Sequence, residues 1–152
     1  MSNKSEHVTR RIEQFRGQSL PAHYLAYFDC FNHQLFYEAH DVLEALWLPV
    51  RRESDGAFYK GLIQLAGAFV HVQKNRPGPA MALLRLARAN LETYPEIHHQ
   101  LELSNVLALI EQWQRRLEGA TTSSDILSKE TPPRLALARP ELQPQSCGSN
   151  RN

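Results

Sequence analysis

Two neighbouring stretches of the sequence combine titratable side chains with aromatic and aliphatic residues. The first, FNHQLFYEAHDVLEALW, covers residues 31–47 and contains four residues that could take part in chemistry: Glu38, His40, Asp41 and Glu44. Because histidine titrates near neutral pH and a carboxylate can accept a proton or bind a cation, these residue types suit acid–base chemistry or a divalent metal. The same side chains can also satisfy one another inside a helix bundle.

The helical positions of these four residues separate them. At about 100° per residue, the apolar residues between Phe36 and Trp47 form one continuous arc of a helix. Glu38 lies about 160° around the axis from His40, so these two side chains cannot easily bind one small ion. His40 and Glu44 are one turn apart and can share a ligand or a hydrogen bond. The spacing therefore favours a pair rather than a cluster of four.

The second stretch, FYKGLIQLAGAFVHVQK, carries a narrow polar stripe on an otherwise apolar helix. Lys60, Gln64, Gly67 and His71 follow helical spacing and cover only about 80° of the circumference. Because a polar group buried without a partner is unfavourable, such a stripe needs either neighbouring side chains or a ligand. Gly61 and Gly67 each lower helix propensity by about 1 kcal/mol relative to alanine, which favours close approach by a neighbouring helix.

An antiparallel hairpin of these two helices would bring their polar residues to the same levels. Matching levels from the turn outward places Glu44 beside Lys60 and His40 beside Gln64, with His71 near the start of the first helix. One interpretation is a structural ladder, since buried charges are usually paired. The other, which does not exclude the first, is a binding pocket. It would be lined by a polar seam that we define as Glu38, His40, Glu44, Lys60, Gln64 and His71.

A metal site within the seam finds less support. Ligands of one ion must converge at about 2 Å, whereas the hairpin levels separate His71 from His40 by roughly 10 Å at about 1.5 Å per residue. We therefore predict no bound metal and no other cofactor. A metal-assisted or acid–base enzyme of hydrolase type, using His40, Glu44 and His71, is the alternative function, and the sequence leaves open whether the protein is an enzyme.

Two known metal-site patterns fit poorly. A helical phosphohydrolase of the HD type would need His7 and Asp125 to join His40 and Asp41, and the first two lie in a predicted loop and tail. A ferritin-like di-metal site needs Glu-x-x-His on two helices, and residues 96–99 give the single match, in a predicted connection. The remaining histidines are interpreted as surface or cap residues: His23, His33, His98 and His99.

Helix signals along the chain predict an all-α fold. Prolines, polar turns and Gly119 separate five predicted helices: residues 21–30, 32–48, 58–74, 79–93 and 104–118. Because short connections favour antiparallel neighbours, we expect a compact bundle of four to five mostly antiparallel helices with a flexible C-terminal tail.

The chain divides into three predicted parts. Residues 1–19 form an N-terminal segment that is partly helical or disordered, and residues 20–119 form the helical domain. Residues 120–152 are rich in Pro, Ser and Thr and contain no aromatic residue, which is typical of a mostly disordered tail. Within it, PPRLALARPEL at residues 132–142 alternates apolar and polar residues and could dock as an extended strip.

Composition narrows the classes of partner and the compartment. Seventeen Lys and Arg against 16 Asp and Glu give a formal net charge of +1 without a basic block, so we expect no nucleic-acid partner. Cys30 and Cys147 suit a reducing compartment. The N-terminus lacks an apolar segment, so we expect no signal peptide, no membrane span and a cytoplasmic protein. The expected partner is an unknown small molecule or protein, and the chain is expected to be a monomer or a homodimer.

The two stretches together resemble the family called domain of unknown function 309. Its pattern is FN, then E-A-H-E-x-L-E-x-x-W, then G-L-I-Q-x-A with a histidine, a GN-type turn and G-A-x-x-L-L. The matching residues are Phe31, Asn32, Glu38, Ala39, His40, Leu43, Glu44 and Trp47, followed by Gly61, Leu62, Ile63, Gln64, Ala66 and His71. Asp41 stands in place of the usual glutamate, and KNRPGPA replaces the turn. The resemblance spans residues 24–94 and implies a compact all-helical fold without implying an activity, so we favour a small binding or interaction module.

Overall fold

The computed structural model describes residues 3–119 and 131–138 of the chain. Within these ranges it contains six α-helices: α1 (Asn3–Glu13), α2 (Ala22–Asn32), α3 (Phe36–Trp47), α4 (Gly56–Gln73), α5 (Pro77–Leu91) and α6 (Leu103–Glu118). A 3-10 helix, Leu48–Val50, extends α3. Strands β1 (Ile97–His98) and β2 (Leu101–Glu102) form a short antiparallel hairpin between α5 and α6. The all-α prediction is confirmed, and α1 adds a helix to the five predicted ones.

Local sequence explains where the central helices begin and end. Pro77 lies in the first turn of α5, where its missing N–H is not needed and its fixed φ suits the helix. The preceding turn contains Asn75 with a φ of 61°, a left-handed conformation that asparagine tolerates better than most residues. These residues reverse the chain, so that α5 packs along α4.

Helix α4 lies at the centre of the packing and contacts both α3 and α5. Its Phe69 lies between Phe36 of α3 and Trp113 of α6, with ring centroids 5.3 Å and 5.1 Å away. All three rings are buried, and such offset and edge-on aromatic contacts add to the stabilisation from burial. The apolar side of α4 is therefore fixed in the core, which determines where its polar stripe can lie.

Close helix approach explains one of the two glycines in the interior of α4, Gly61 and Gly67. A Cβ atom at Gly61 would lie 2.8 Å from Cγ of Leu91 and 3.2 Å from Cβ of Asn90, both on α5. A Cβ atom at that distance would require the Leu91 side chain or α5 itself to move. At Gly67, a Cβ atom would meet one described atom within 4 Å outside its own helical turn, Cδ1 of Leu83 at 3.3 Å. The predicted close approach thus occurs at Gly61.

An extended segment from the predicted tail docks on the helices. Leu135 is 6% exposed, and its backbone N–H and C=O both bond the Asn32 side chain, each at 2.7 Å. Farther along, the Ala138 N–H donates to the Gln100 carbonyl at 2.6 Å. The strip predicted at residues 132–142 is thus docked as far as Ala138, and the rest of the predicted tail, residues 120–130 and 139–152, lies outside the described residues.

Candidate functional site

A cavity of about 350 Å³ lies between α3 and α4, with Leu83 of α5 in its wall. Five of the six residues of the polar seam line it: His40, Glu44, Lys60, Gln64 and His71. The other lining residues are Tyr37, Trp47, Ile63, Gly67, Val70 and Leu83. Glu38 is not among them, as its position on the far edge of the α3 helix explains. Thus the antiparallel hairpin brings most of the seam to one place.

The seam residues do not pair with one another as a ladder. Neither Glu44–Lys60 nor His40–Gln64 occurs among the ion pairs and hydrogen bonds of the described residues. The Lys60 ammonium instead lies 4.4 Å from the centre of the Trp47 ring, a cation–π contact. The predicted pairing is wrong, because Lys60 contacts the Trp47 ring and Gln64 bonds Asn90 instead.

Gln64 is held by a residue outside the hairpin. The Nδ2 amide of Asn90 on α5 donates to Oε1 of Gln64 at 2.8 Å. Since the amide oxygen of Gln64 is the acceptor, its amide nitrogen is left as a donor beside the cavity. Helix α5 therefore orients a polar group of the seam.

His71 contributes a buried polar atom without a partner. Its Nδ1 atom is inaccessible to solvent and makes no hydrogen bond to any residue in the described part of the chain. Burial, and then the positive charges of Arg76 and Lys74, lowers the pKa of His71 below its usual value of 6.5. The ring is consequently neutral at neutral pH, and the unsatisfied atom costs about 1–3 kcal/mol. Because this atom is inaccessible to solvent, a bound molecule could bond it only after the ring had turned.

His40 belongs to a group of possible cation ligands on α3. Atoms of His40, Asp41 and Glu44 that could bind a metal lie within 4.8 Å of one another. The Nδ1 atom of His40 is 3.4 Å from Oδ1 of Asp41, and the ring stacks on Tyr37 with centroids 6.1 Å apart. His71 is not part of this group, consistent with the axial separation predicted from the hairpin.

A second polar cluster lies at the start of α4. Nε2 of His98 is 2.8 Å from Oδ1 of Asp55, and Nε2 of His99 is 2.7 Å from Oδ2. Burial raises the pKa of Asp55, but the hydrogen bonds with both histidines more than offset this, and the net pKa is lowered. The sequence predicts surface or cap residues at His98 and His99, and the adjacent His–His pair is the one signal in it that points to this cluster.

The comparison with protein families found a match that covers both motifs. Residues 24–92 match the model of the family described as domain of unknown function (DUF309). The matched region contains every residue of the polar seam and ends before His98. No curated protein and no solved structure matches the chain. Among the helices of the described residues, none is long and apolar enough to cross a membrane.

Proposed function

We propose that the cavity between α3 and α4 binds a small organic molecule, and that the protein is a small helical binding module. The observation that carries this proposal is the cavity itself, whose wall combines apolar side chains with Lys60, Gln64 and His71. Among the described residues, Nδ1 of His71 is a buried polar atom without a hydrogen-bond partner, and it would bond a ligand only if the ring turned toward the cavity.

The lining indicates the chemistry of the ligand. Trp47, Ile63 and Leu83 offer apolar surface, whereas Lys60 and Gln64 offer hydrogen-bond donors. A few directed polar groups in a mostly apolar wall are typical of small-molecule sites, and about 350 Å³ is near the lower end of their usual size. The best match is a compact molecule with an apolar ring or short chain and at least one hydrogen-bond acceptor.

A fragment screen with a cavity-filling variant tests this function. Ring-containing fragments would be screened against the full chain by ligand-observed NMR. We expect several fragments to compete for one site and to lose binding in Val70→Phe, which places a larger ring in the cavity wall. Leu86→Phe is the matched control, because Leu86 is 51% exposed on α5 and does not line the cavity.

Two outcomes would contradict the proposed function. One is the absence of any competing fragment, and the other is binding that Val70→Phe leaves at the wild-type affinity. Circular dichroism melts of both variants would show whether a loss of binding reflects a loss of folding.

A metal-assisted or acid–base enzyme is the second candidate function. It is favoured by the grouping of His40, Asp41 and Glu44, whose possible ligand atoms lie within 4.8 Å of one another on the edge of the cavity helix. Stoichiometric metal in the purified protein that disappears in His40→Ala would support this function over simple ligand binding.

A further inference from the structure

We propose that Asp55, His98 and His99 form a divalent metal site, with Zn²⁺ as the best-fitting ion. The three residues come from two places in the fold that are distant in sequence. Asp55 immediately precedes α4, His98 ends β1, and His99 is the first residue of the turn between β1 and β2. This site is distinct from the cavity between α3 and α4, and its two histidines lie beyond the DUF309 match.

The donor set and its spacing suit zinc. Both histidines direct Nε2 toward the same carboxylate, and the three possible ligand atoms lie within 4.8 Å of one another. Two imidazole nitrogens and one carboxylate oxygen are a common zinc set that leaves a fourth position for water or a substrate. With bonds of about 2.0–2.2 Å, the ligands of a tetrahedral ion lie roughly 3.3 Å apart. The two histidine–carboxylate contacts of 2.7–2.8 Å would open by about half an ångström to reach this spacing. The ligand atoms of the two histidines already lie within 4.8 Å of each other.

Proton and charge balance also permit binding. In the absence of metal, each Nε2–H donates to one oxygen of Asp55. A neutral histidine that binds the ion through Nε2 carries its proton on Nδ1 instead, so binding needs only a change of tautomer. The carboxylate then supplies one negative charge to the dication.

The β1–β2 hairpin holds both histidine rings in place, and two residues of its turn adopt an unfavourable backbone conformation. His99 and Gln100 have φ values of 47° and 63°, in the left-handed region, although neither is glycine. Tyr24 fixes this turn from the core by donating from its hydroxyl to the His99 carbonyl at 3.0 Å. Residues in such conformations persist where the surrounding structure imposes them, and they are frequent at functional sites.

The aromatic surroundings further limit movement of the rings. Phe58 contacts the His98 ring at a centroid distance of 4.7 Å, and Tyr59 stacks on His99 with ring planes 8° apart. The side chains nevertheless keep 23% exposure at His98, 33% at His99 and 30% at Asp55, so an ion can reach them from solvent. One histidine would be enough to hold the β1–β2 hairpin against Asp55 by a hydrogen bond. Two histidines that converge on one carboxylate match a metal site instead.

Cobalt titration of the full-length protein tests the site. After treatment with a chelator and its removal, Co²⁺ is added, and the visible d–d absorption is followed. Zn²⁺ binding is measured separately by calorimetry. We expect one ion per chain at this site, intense visible bands of a tetrahedral N,O site, and displacement of Co²⁺ by Zn²⁺. Removing a ligand should weaken binding at least about 10- to 100-fold, the loss typical even for groups that only support metal ligands.

The variants distinguish this site from the group on α3. Asp55→Asn and His98→Gln should each abolish the cobalt bands, whereas Asp41→Asn, in the group with His40 and Glu44, should leave them unchanged. Wild-type protein without stoichiometric Co²⁺ or Zn²⁺ binding would overturn the proposal. So would binding that survives Asp55→Asn and His98→Gln, or that is lost in Asp41→Asn. Two different ligands are substituted so that the conclusion does not depend on the folding of a single variant.

Discussion

The fold buries part of the His71 side chain without supplying a hydrogen-bond partner for its Nδ1 atom among the described residues. The position of this residue on α4 brings it to the wall of the cavity between the helices, while Nδ1 itself is buried. Lys60 differs, because its ammonium group lies over the Trp47 ring. The residues of the polar seam therefore have separate local environments, and each can be tested separately.

The stability of the protein should depend on pH through His71. Burial and the charges of Arg76 and Lys74 lower its pKa in the folded state, so the unfolded chain, with a pKa near 6.5, binds a proton more readily. The His71 contribution to stability is thus fully present above pH 6.5 and is lost as the pH falls through the lowered pKa. In urea melts at pH 7.5 and 5.5, we expect a smaller loss of unfolding free energy in His71→Leu than in the wild type.

His71→Gln is the control for this prediction. It keeps a polar side chain but cannot titrate, so its pH dependence should be reduced as much as that of His71→Leu. If the wild type and both variants lost the same free energy over this pH range, the pKa of His71 would not differ between the folded and unfolded states.

Helix α4 is the element that positions both candidate sites. Its first turn follows Asp55 of the histidine cluster, and its polar stripe lines the cavity. Gly61 and Gly67 in this helix have different roles. A Cβ atom at Gly61 would meet the Leu91 side chain and Cβ of Asn90 on α5, whereas one at Gly67 would meet only the end of the flexible Leu83 side chain.

Alanine substitutions should separate these two roles. Gly61→Ala would place Cβ 2.8 Å from Leu91 Cγ. Such overpacking costs about 1–3 kcal/mol, and the gain in helix propensity offsets only about 1 kcal/mol of it. Gly67→Ala meets one methyl group at 3.3 Å that can rotate away, so its unfolding free energy should stay within about 0.5 kcal/mol of wild type or rise by up to about 1 kcal/mol. Denaturant melts that rank Gly61→Ala as the more stable variant would contradict this assignment.

At the scale of the whole molecule, the all-α fold was predictable from the sequence, because the helical spacing of apolar residues and the helix breakers between them are local signals. Matching the levels of α3 and α4 also predicts that five seam residues lie close together. The cavity wall contains all five: His40, Glu44, Lys60, Gln64 and His71. Their individual partners could not be predicted in this way. Gln64 bonds Asn90 of α5, a third helix that the hairpin argument did not include.

The histidine cluster and the docked strip depend on contacts distant in sequence. Asp55 and His98 are 43 residues apart, and the turn that brings them together lacks the Asn-Gly or Asp-Gly signal of a two-residue hairpin. Asn32, part of the FN motif, bonds both backbone groups of Leu135, 103 residues away. This gives Asn32 a structural role, because its amide can donate and accept at once.

The polar seam lines a cavity rather than stabilising the α3–α4 hairpin through paired charges. A double-mutant cycle of Glu44→Leu and Lys60→Met, measured as unfolding free energies in denaturant, tests it directly. With no ion pair between these residues among the described contacts, we predict a coupling energy below about 0.5 kcal/mol. The matched cycle of Lys60→Met with Trp47→Leu should give about 0.5–1 kcal/mol from the cation–π contact. A Glu44–Lys60 coupling above about 1.5 kcal/mol, as expected of a buried charge pair, would contradict the claim.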